Sequence, residues 1–167
     1  LSELGYSVSK GHIQDGTILE APKGRRSKKT GKNTRDTEAS FTAKNGRTYH
    51  GYKGHIETSE QGGAIMNTTF TTAKVHDSQE SNTLMTGDEG GEAYGDSAYG
   101  SKRRNGFLAE MDGNEIIPQF NERGARNKPL TLLQKEQNRI KSQVRARVEH
   151  PFATIKTKYG NYKVRYR

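Results

Sequence analysis

Apolar residues are gathered into short runs separated by long polar stretches. The first run, Gly11 to Ala21 (GHIQDGTILEA), is interrupted by Asp15 and Gly16 and reads as a strand carrying an inward acid. Pro22 to Asn45 reads as loop. Arg47–Glu57 and Ala64–Thr72 are β-rich runs on either side of a turn-like Thr58–Gly63. His76–Thr86 predicts a short helix, with Asp77 and Ser78 near its start to cap it. Glu92–Ala98 (EAYGDSA) predicts a strand ending at Asp96. Ser101–Met111 then reads as helix, Asp112-Gly113 as a turn, Asn114–Phe120 as a strand and Asn121–Lys128 as a polar, basic loop. The last helix has the best-defined start, because Thr131 and Gln134 form a capping box of the T-x-x-Q type. Proline inside a helix removes a hydrogen bond and clashes with the preceding turn, so Pro151 predicts a kink with Glu149 at the joint. A strand meander followed by β-α-β units predicts an α/β fold, a mixed sheet with helices on both faces.

Composition limits the size of that core. Leu, Ile, Val and Phe number 26 of 167 residues, under the roughly 20% at which disorder becomes a competing expectation. A net charge of +9 is moderate for this length, and the apolar residues are clustered, so a small core with long polar loops is expected, as one domain over 1–167. With no cysteine, disulfides and thiolate metal sites are excluded. The five histidines show no H-x3-H spacing, which argues against zinc. No apolar stretch approaches the roughly 18 residues of a membrane span, and no signal-peptide pattern opens the chain. No membrane partner and a cytoplasmic location are therefore expected. The chain starts at Leu1 and its first methionine is Met66, which reads as a fragment of a longer product.

The charge is uneven. Lys23 to Arg35 holds seven basic residues and no acid, and Arg139 to Arg167 holds nine with one acid, Glu149. Basic blocks of this density point to a polyanion partner or to a solvated loop. Segment 22–45 is thus expected to be a basic, flexible insertion loop. The two readings are compatible, since such a loop can order on phosphate.

Candidate chemistry lies in three acids: Asp15 in the first strand, Asp96 at the end of the fourth, and Glu149 in the last helix. If the first and fourth strands are neighbours, the two aspartates lie side by side, and a helix crossing that edge delivers Glu149. Hard divalent cations take oxygen ligands, often two or three carboxylates with phosphate oxygens completing the shell. Two such ions clamp the attacking and leaving oxygens of an in-line phosphoryl transfer. Spacing alone carries little weight in a chain with 19 acids. Glu149 stands out because Arg145, Arg147, Lys156 and Lys158 surround it. Lys53 and His55 alternate with Gly54 on one strand face, which points either at the metal site or at solvent. Tyr159, Tyr162 and Tyr166, interleaved with bases, read as a half-buried terminal strand or as base-stacking groups.

The run Arg145-Ala-Arg-Val-Glu149-His-Pro-Phe-Ala-Thr-Ile-Lys156 resembles the R-x3-E-x6-K part of the Y-x2-R-x3-E-x6-K signature. That signature marks DDE transposases of the bacterial insertion-sequence-four and insertion-sequence-five groups. GHIQDGT, YHGYKGHIE, TTAKVHDSQE and YGDSAYGS are similar in order and spacing, from about Gly5 to the end. The signature tyrosine falls on Ser142, a departure that bears on contacts to the transposon end and not on the acids. The resemblance implies a ribonuclease-H-like core with a five-stranded mixed sheet flanked by helices. It implies two Mg²⁺ or Mn²⁺ ions on Asp15, Asp96 and Glu149, acting in cleavage and strand transfer of insertion-sequence ends. Arg145 and Lys156, with Arg147 and Lys53 beside them, would contact the phosphates of double-stranded DNA. A homodimer follows from pairing of two ends. Only 14 residues precede Asp15, so an N-terminal DNA-binding region is expected to be absent. Two alternatives stay open: a related nuclease without strand transfer, and a catalytically incomplete basic DNA-binding fragment.

Overall fold

A computed structural model describes residues 11–25, 27–31, 35–60, 63–85, 91–100 and 116–158. The elements are β1 (His12–Glu20), β2 (Ser40–Lys44), β3 (Arg47–Ser59), β4 (Ile65–Thr72), α1 (Asp77–Leu84), β5 (Gly91–Gly95), β6 (Ile116–Phe120), α2 (Leu132–Arg145) and α3 (Glu149–Thr157). A 3-10 turn, Ala146–Val148, joins α2 to α3. The expected helix at 101–111 and the tyrosines beyond Lys158 lie outside the described residues.

The strands form one curled mixed sheet in the order β2-β3-β1-β5-β6, with β4 also on β3. β3 is antiparallel to β1, β2 and β4, whereas β1, β5 and β6 run parallel. The sheet has six strands where the family resemblance implied five. The addition is β2, inside a stretch that sequence reading assigned to loop. β2 pairs with residues 47–51 of β3 and β4 with residues 52–58, so the two follow one another along that long strand. Its hairpin turn is Asn45-Gly46, with φ of 52° and 73°. Both residues sit in the left-handed region, as a two-residue turn matching the twist of its strands requires, and Asn-Gly tolerates that best.

Successive strand residues point to opposite faces, which divides the core in two. On one face Ile13, Ile56 and Tyr94 form a buried cluster with Val148 and Phe152, with Val144 packed against it. Val144, Val148 and Phe152 recur every four residues, so one stripe of the α2–α3 segment docks on this face. On the other face α1 covers a polar interior. Gln14 Nε2 donates to the Ser81 carbonyl at 3.2 Å, and His12 Nδ1 lies 2.6 Å from Glu57 Oε1. Asn67 Nδ2 donates to both Glu57 Oε2 and the Leu84 carbonyl. A second apolar cluster on this side joins Met85, Ala93, Tyr99, Ile116 and Phe120.

Both helix boundaries near the carboxylates follow the sequence. Thr131 and Gln134 make the capping box. Pro151 is the third residue of α3, where its missing N–H would have no partner in a helix start. The preceding 3-10 turn makes the expected joint, and Glu149 opens the second segment. α1 differs in its cap: the residue is His76, whose Nδ1 accepts from Ser78 N. Among the described residues, no helix is long and apolar enough to cross a membrane.

Candidate active site

Strand register directs Asp15 and Asp96 toward one another. β1 and β5 pair in parallel with His12 opposite Ala93 and Ile13 opposite Tyr94. Continued two residues, the same register sets Asp15 beside Asp96, on the face that carries Ile13 and Tyr94. Asp96 follows the last residue of β5, where the chain turns out of the sheet. Its Oδ1 accepts from Ala98 N at 2.7 Å and its carbonyl accepts from Tyr99 N, a tight turn that orients the carboxylate. Gly95 before it leaves room for packing: a Cβ there would stand 3.1 Å from both the Phe120 and the Tyr99 rings.

Glu149 approaches from the helix layer. Val148 is fully buried and Phe152 nearly so, both in the cluster with Ile13 and Tyr94. These anchors fix the start of α3 over the strand ends, and Glu149 itself stays exposed. The electrostatics of Asp15 register this arrangement. Burial pushes the Asp15 carboxyl above its usual range, and the charges of Asp96 and Glu149 push the same way. A hydrogen bond from Gly16 N (2.8 Å) and the Arg145 guanidinium oppose the rise. Asp15 therefore feels both other acids and one of the expected bases. The convergence is electrostatic and stops short of a preformed cage: among the described residues, no three of His, Asp or Glu are close enough together to hold an ion.

The expected phosphate contacts divide. Arg145 is half-buried, and its charge acts on Asp15. Lys156 lies 5.9 Å from the centre of the Phe152 ring, one turn further along the helix, and forms no ion pair with a described residue. Arg147 is half exposed and turns to Glu60, donating to its carbonyl at 3.1 Å. Lys53 is turned inward, onto the α1 side of the sheet. Its Nζ lies 2.9 Å from Asp77 Oδ1 and donates to the Val75 carbonyl at 2.7 Å. His55 shares that side, fully buried, with Nε2 at 3.0 Å from Thr71 Oγ1. Ser142, at the signature tyrosine position, accepts from Asn121 Nδ2 at 2.9 Å.

Two contributors were not apparent in the sequence. Asp77, read there only as a helix cap, holds the Lys53 ammonium in place. The second is β2, whose Thr42, Ala43 and Lys44 line a cavity of about 280 Å³ together with Gly16, Lys53 and Asp96. The Asn-Gly turn was the available signal for the hairpin. Nothing in the local sequence told that its curl would bring it against Asp96.

No solved structure matches the chain significantly. The model of the family described as "Transposase DDE domain" matches residues 7–167, a span that includes all three acids and both helix segments. With the match running over nearly the whole chain, this protein belongs to the DDE-domain transposase family.

Proposed function

We propose that the chain is the ribonuclease-H-like catalytic core of an insertion-sequence-four or insertion-sequence-five type transposase, with Asp15, Asp96 and Glu149 as its metal ligands. The observation that supports this reading is the parallel register of β1 against β5, which runs toward Asp15 and Asp96, together with the charges of Asp96, Glu149 and Arg145 acting on Asp15. The donor set suits the cation. Three carboxylates and no thiolate or imidazole make an all-oxygen site of the kind Mg²⁺ or Mn²⁺ prefers, and phosphate oxygens supply the remaining ligands. The unfavourable gathering of negative charge around Asp15 is what a divalent cation would offset. When bound, two such ions stabilise the attacking and leaving oxygens of an in-line displacement at phosphorus.

The chain's own groups do the rest. Asp15, fixed in a central strand, and Asp96, fixed by its turn, form the rigid half of the site. Glu149, exposed at a helix junction, forms the half that meets the substrate. Arg145 and Lys156 would take non-bridging phosphate oxygens, where their charge offsets that of the pentacoordinate transition state. No side-chain nucleophile is required, since water cleaves one strand and the resulting DNA 3′-hydroxyl attacks the target. Duplex DNA is the substrate in both steps, and a homodimer would hold two ends together.

The test is calorimetric Mn²⁺ titration with and without a short duplex, on wild type, Asp96→Asn and Glu149→Gln. Saturable binding weakened by both substitutions is expected. Equal binding in all three proteins would mean that the acids do not converge on one site, and a DNA-binding fragment would then describe the chain better. A joining assay with a pre-cleaved end separates strand transfer from hydrolysis alone.

A further inference from the structure

We propose that the β2–β3 hairpin and the turn at Ser27–Gly31 form a second DNA-binding surface, which grips the duplex backbone beside the carboxylates. Two tight turns each present a pair of bases. In the first, Gly31 N donates to the Ser27 carbonyl and Thr30 N to Ser27 Oγ, which places Lys28 and Lys29 at the tip. In the second, Lys44 and Arg47 flank Asn45-Gly46 as the last pair of the hairpin. All four are exposed, and none forms an ion pair with a described residue.

The hairpin half of the surface is built on a fixed frame, which separates it from a solvated charge run. Tyr52 OH donates to Asp36 Oδ2 at 2.7 Å, and Asp36 Oδ1 accepts from the backbone of Glu38 and Ala39. Asp36 is thereby occupied inside the frame. Arg35 Nε donates to the Lys23 carbonyl at 3.0 Å while its guanidinium lies over the Phe41 ring. Ser40 Oγ accepts from Lys74 N at 2.7 Å, tying β2 to the end of β4. The hairpin's own Thr42–Lys44 then line the cavity that Asp96 opens into. On this proposal, phosphates held at the two turns belong to the same duplex whose reacting phosphate lies at the acids. Backbone contacts of this kind fix register and orientation without reading sequence.

The inference rests on the reading of the chain as a DNA-acting enzyme, and binding alone tests it. Fluorescence anisotropy with a labelled duplex, in chelator, compares the full chain with Lys28→Ala/Lys29→Ala, Lys44→Ala/Arg47→Ala and all four together. Lys135→Ala/Arg139→Ala, both exposed on α2, removes the same charge elsewhere. Each turn variant is expected to lose roughly tenfold in affinity whatever the duplex sequence. Its log–log salt slope should fall by about one unit per residue removed, and the α2 control should change by less than about threefold. Turn variants that bind like wild type, or a control that loses as much as they do, overturn the surface and leave the catalytic reading standing. Failure of the wild-type chain to bind duplex at all overturns both. These positions are solvent-facing, so circular dichroism spectra matching wild type are expected and exclude misfolding as the cause of a loss.

Discussion

Asp15 is a residue whose chemistry opposes its fold. Burial and two neighbouring carboxylates hold its pKa above the usual value, so ionising this carboxyl costs the metal-free protein stability. By linkage, a raised carboxyl pKa contributes stability below the unfolded value of 3.8 and loses it as pH rises through the folded value. Asp15→Asn removes that cost at neutral pH. Without metal, its melting temperature is expected to exceed that of wild type by roughly 1–4 °C, while the stabilisation that Mn²⁺ gives wild type disappears. Scanning calorimetry with and without Mn²⁺ checks both halves, and a variant less stable than wild type in chelator would refute the first. His55 works with the opposite sign. Its ring is fully buried, and desolvation lowers its pKa below 6.5 against the pull of Asp77 and Glu80. The neutral ring is the stable one, so its contribution is complete above pH 6.5 and is lost as pH falls toward the folded value. Melting temperature should therefore drop more steeply between about pH 7 and 5 in wild type than in His55→Gln. Parallel curves for the two proteins would show that this histidine is not the titrating group.

At the scale of elements, the site depends on how α3 is docked, and one apolar pair does most of it. Val148 and Phe152 are buried against Ile13, Ile56 and Tyr94, directly beneath Glu149. Phe152→Ala should cost about 3–5 kcal/mol, the usual range for emptying a buried aromatic site, and should free the helix that carries the acid. Chemical denaturation is expected to show that loss, and duplex cleavage by the folded fraction should fall more than duplex binding does. Equal declines in both would mean that the helix only contributes stability. Much of this level was legible in the chain. The capping box at Thr131, the junction at Pro151, and the strands bearing Asp15 and Asp96 all follow from local rules, since caps, prolines and apolar runs act within a few residues. What was not legible depends on tertiary placement. β2 reads as loop because SFTAK is short, polar and half exposed, and only pairing with β3 makes it a strand. Lys53 reads as a surface base because nothing near it in sequence reveals Asp77 across the sheet. Nothing near His12, Gln14 and Glu57 in sequence reveals that all three are buried, Gln14 against the Ser81 carbonyl of α1 and His12 against Glu57 across the strands. The adjacency of Asp15 and Asp96 could be stated only conditionally until the parallel register was known.

For the whole molecule, the decisive quantity is how charge is distributed, since +9 overall includes a concentrated negative spot at the three acids. The basic turns and the Arg145–Lys156 face attract the DNA backbone, but a phosphate arriving at Asp15, Asp96 and Glu149 meets like charge at short range. In metal-free solution this repulsion is only weakly screened at Asp15 and Asp96, because both are partly buried and counterions screen such groups poorly. Neutralising the acids should therefore strengthen metal-free DNA binding, contrary to the usual effect of altering an active site. Asp15→Asn/Asp96→Asn/Glu149→Gln is expected to bind duplex a few-fold to about tenfold more tightly than wild type in chelator, since each 1.4 kcal/mol of relieved repulsion is a factor of ten. Adding Mn²⁺ should reverse the order. Wild type gains affinity because bound cations change the sign of the spot, whereas the triple variant gains nothing beyond ordinary salt competition. Anisotropy titrations of both proteins, in chelator and in Mn²⁺ at constant ionic strength, measure all four affinities. A crossing of the two orders would mean that the acids, the metal and the phosphate share one place. Wild type binding more tightly than the variant in both solutions would mean that DNA lies elsewhere on the molecule and that the carboxylates do not face it.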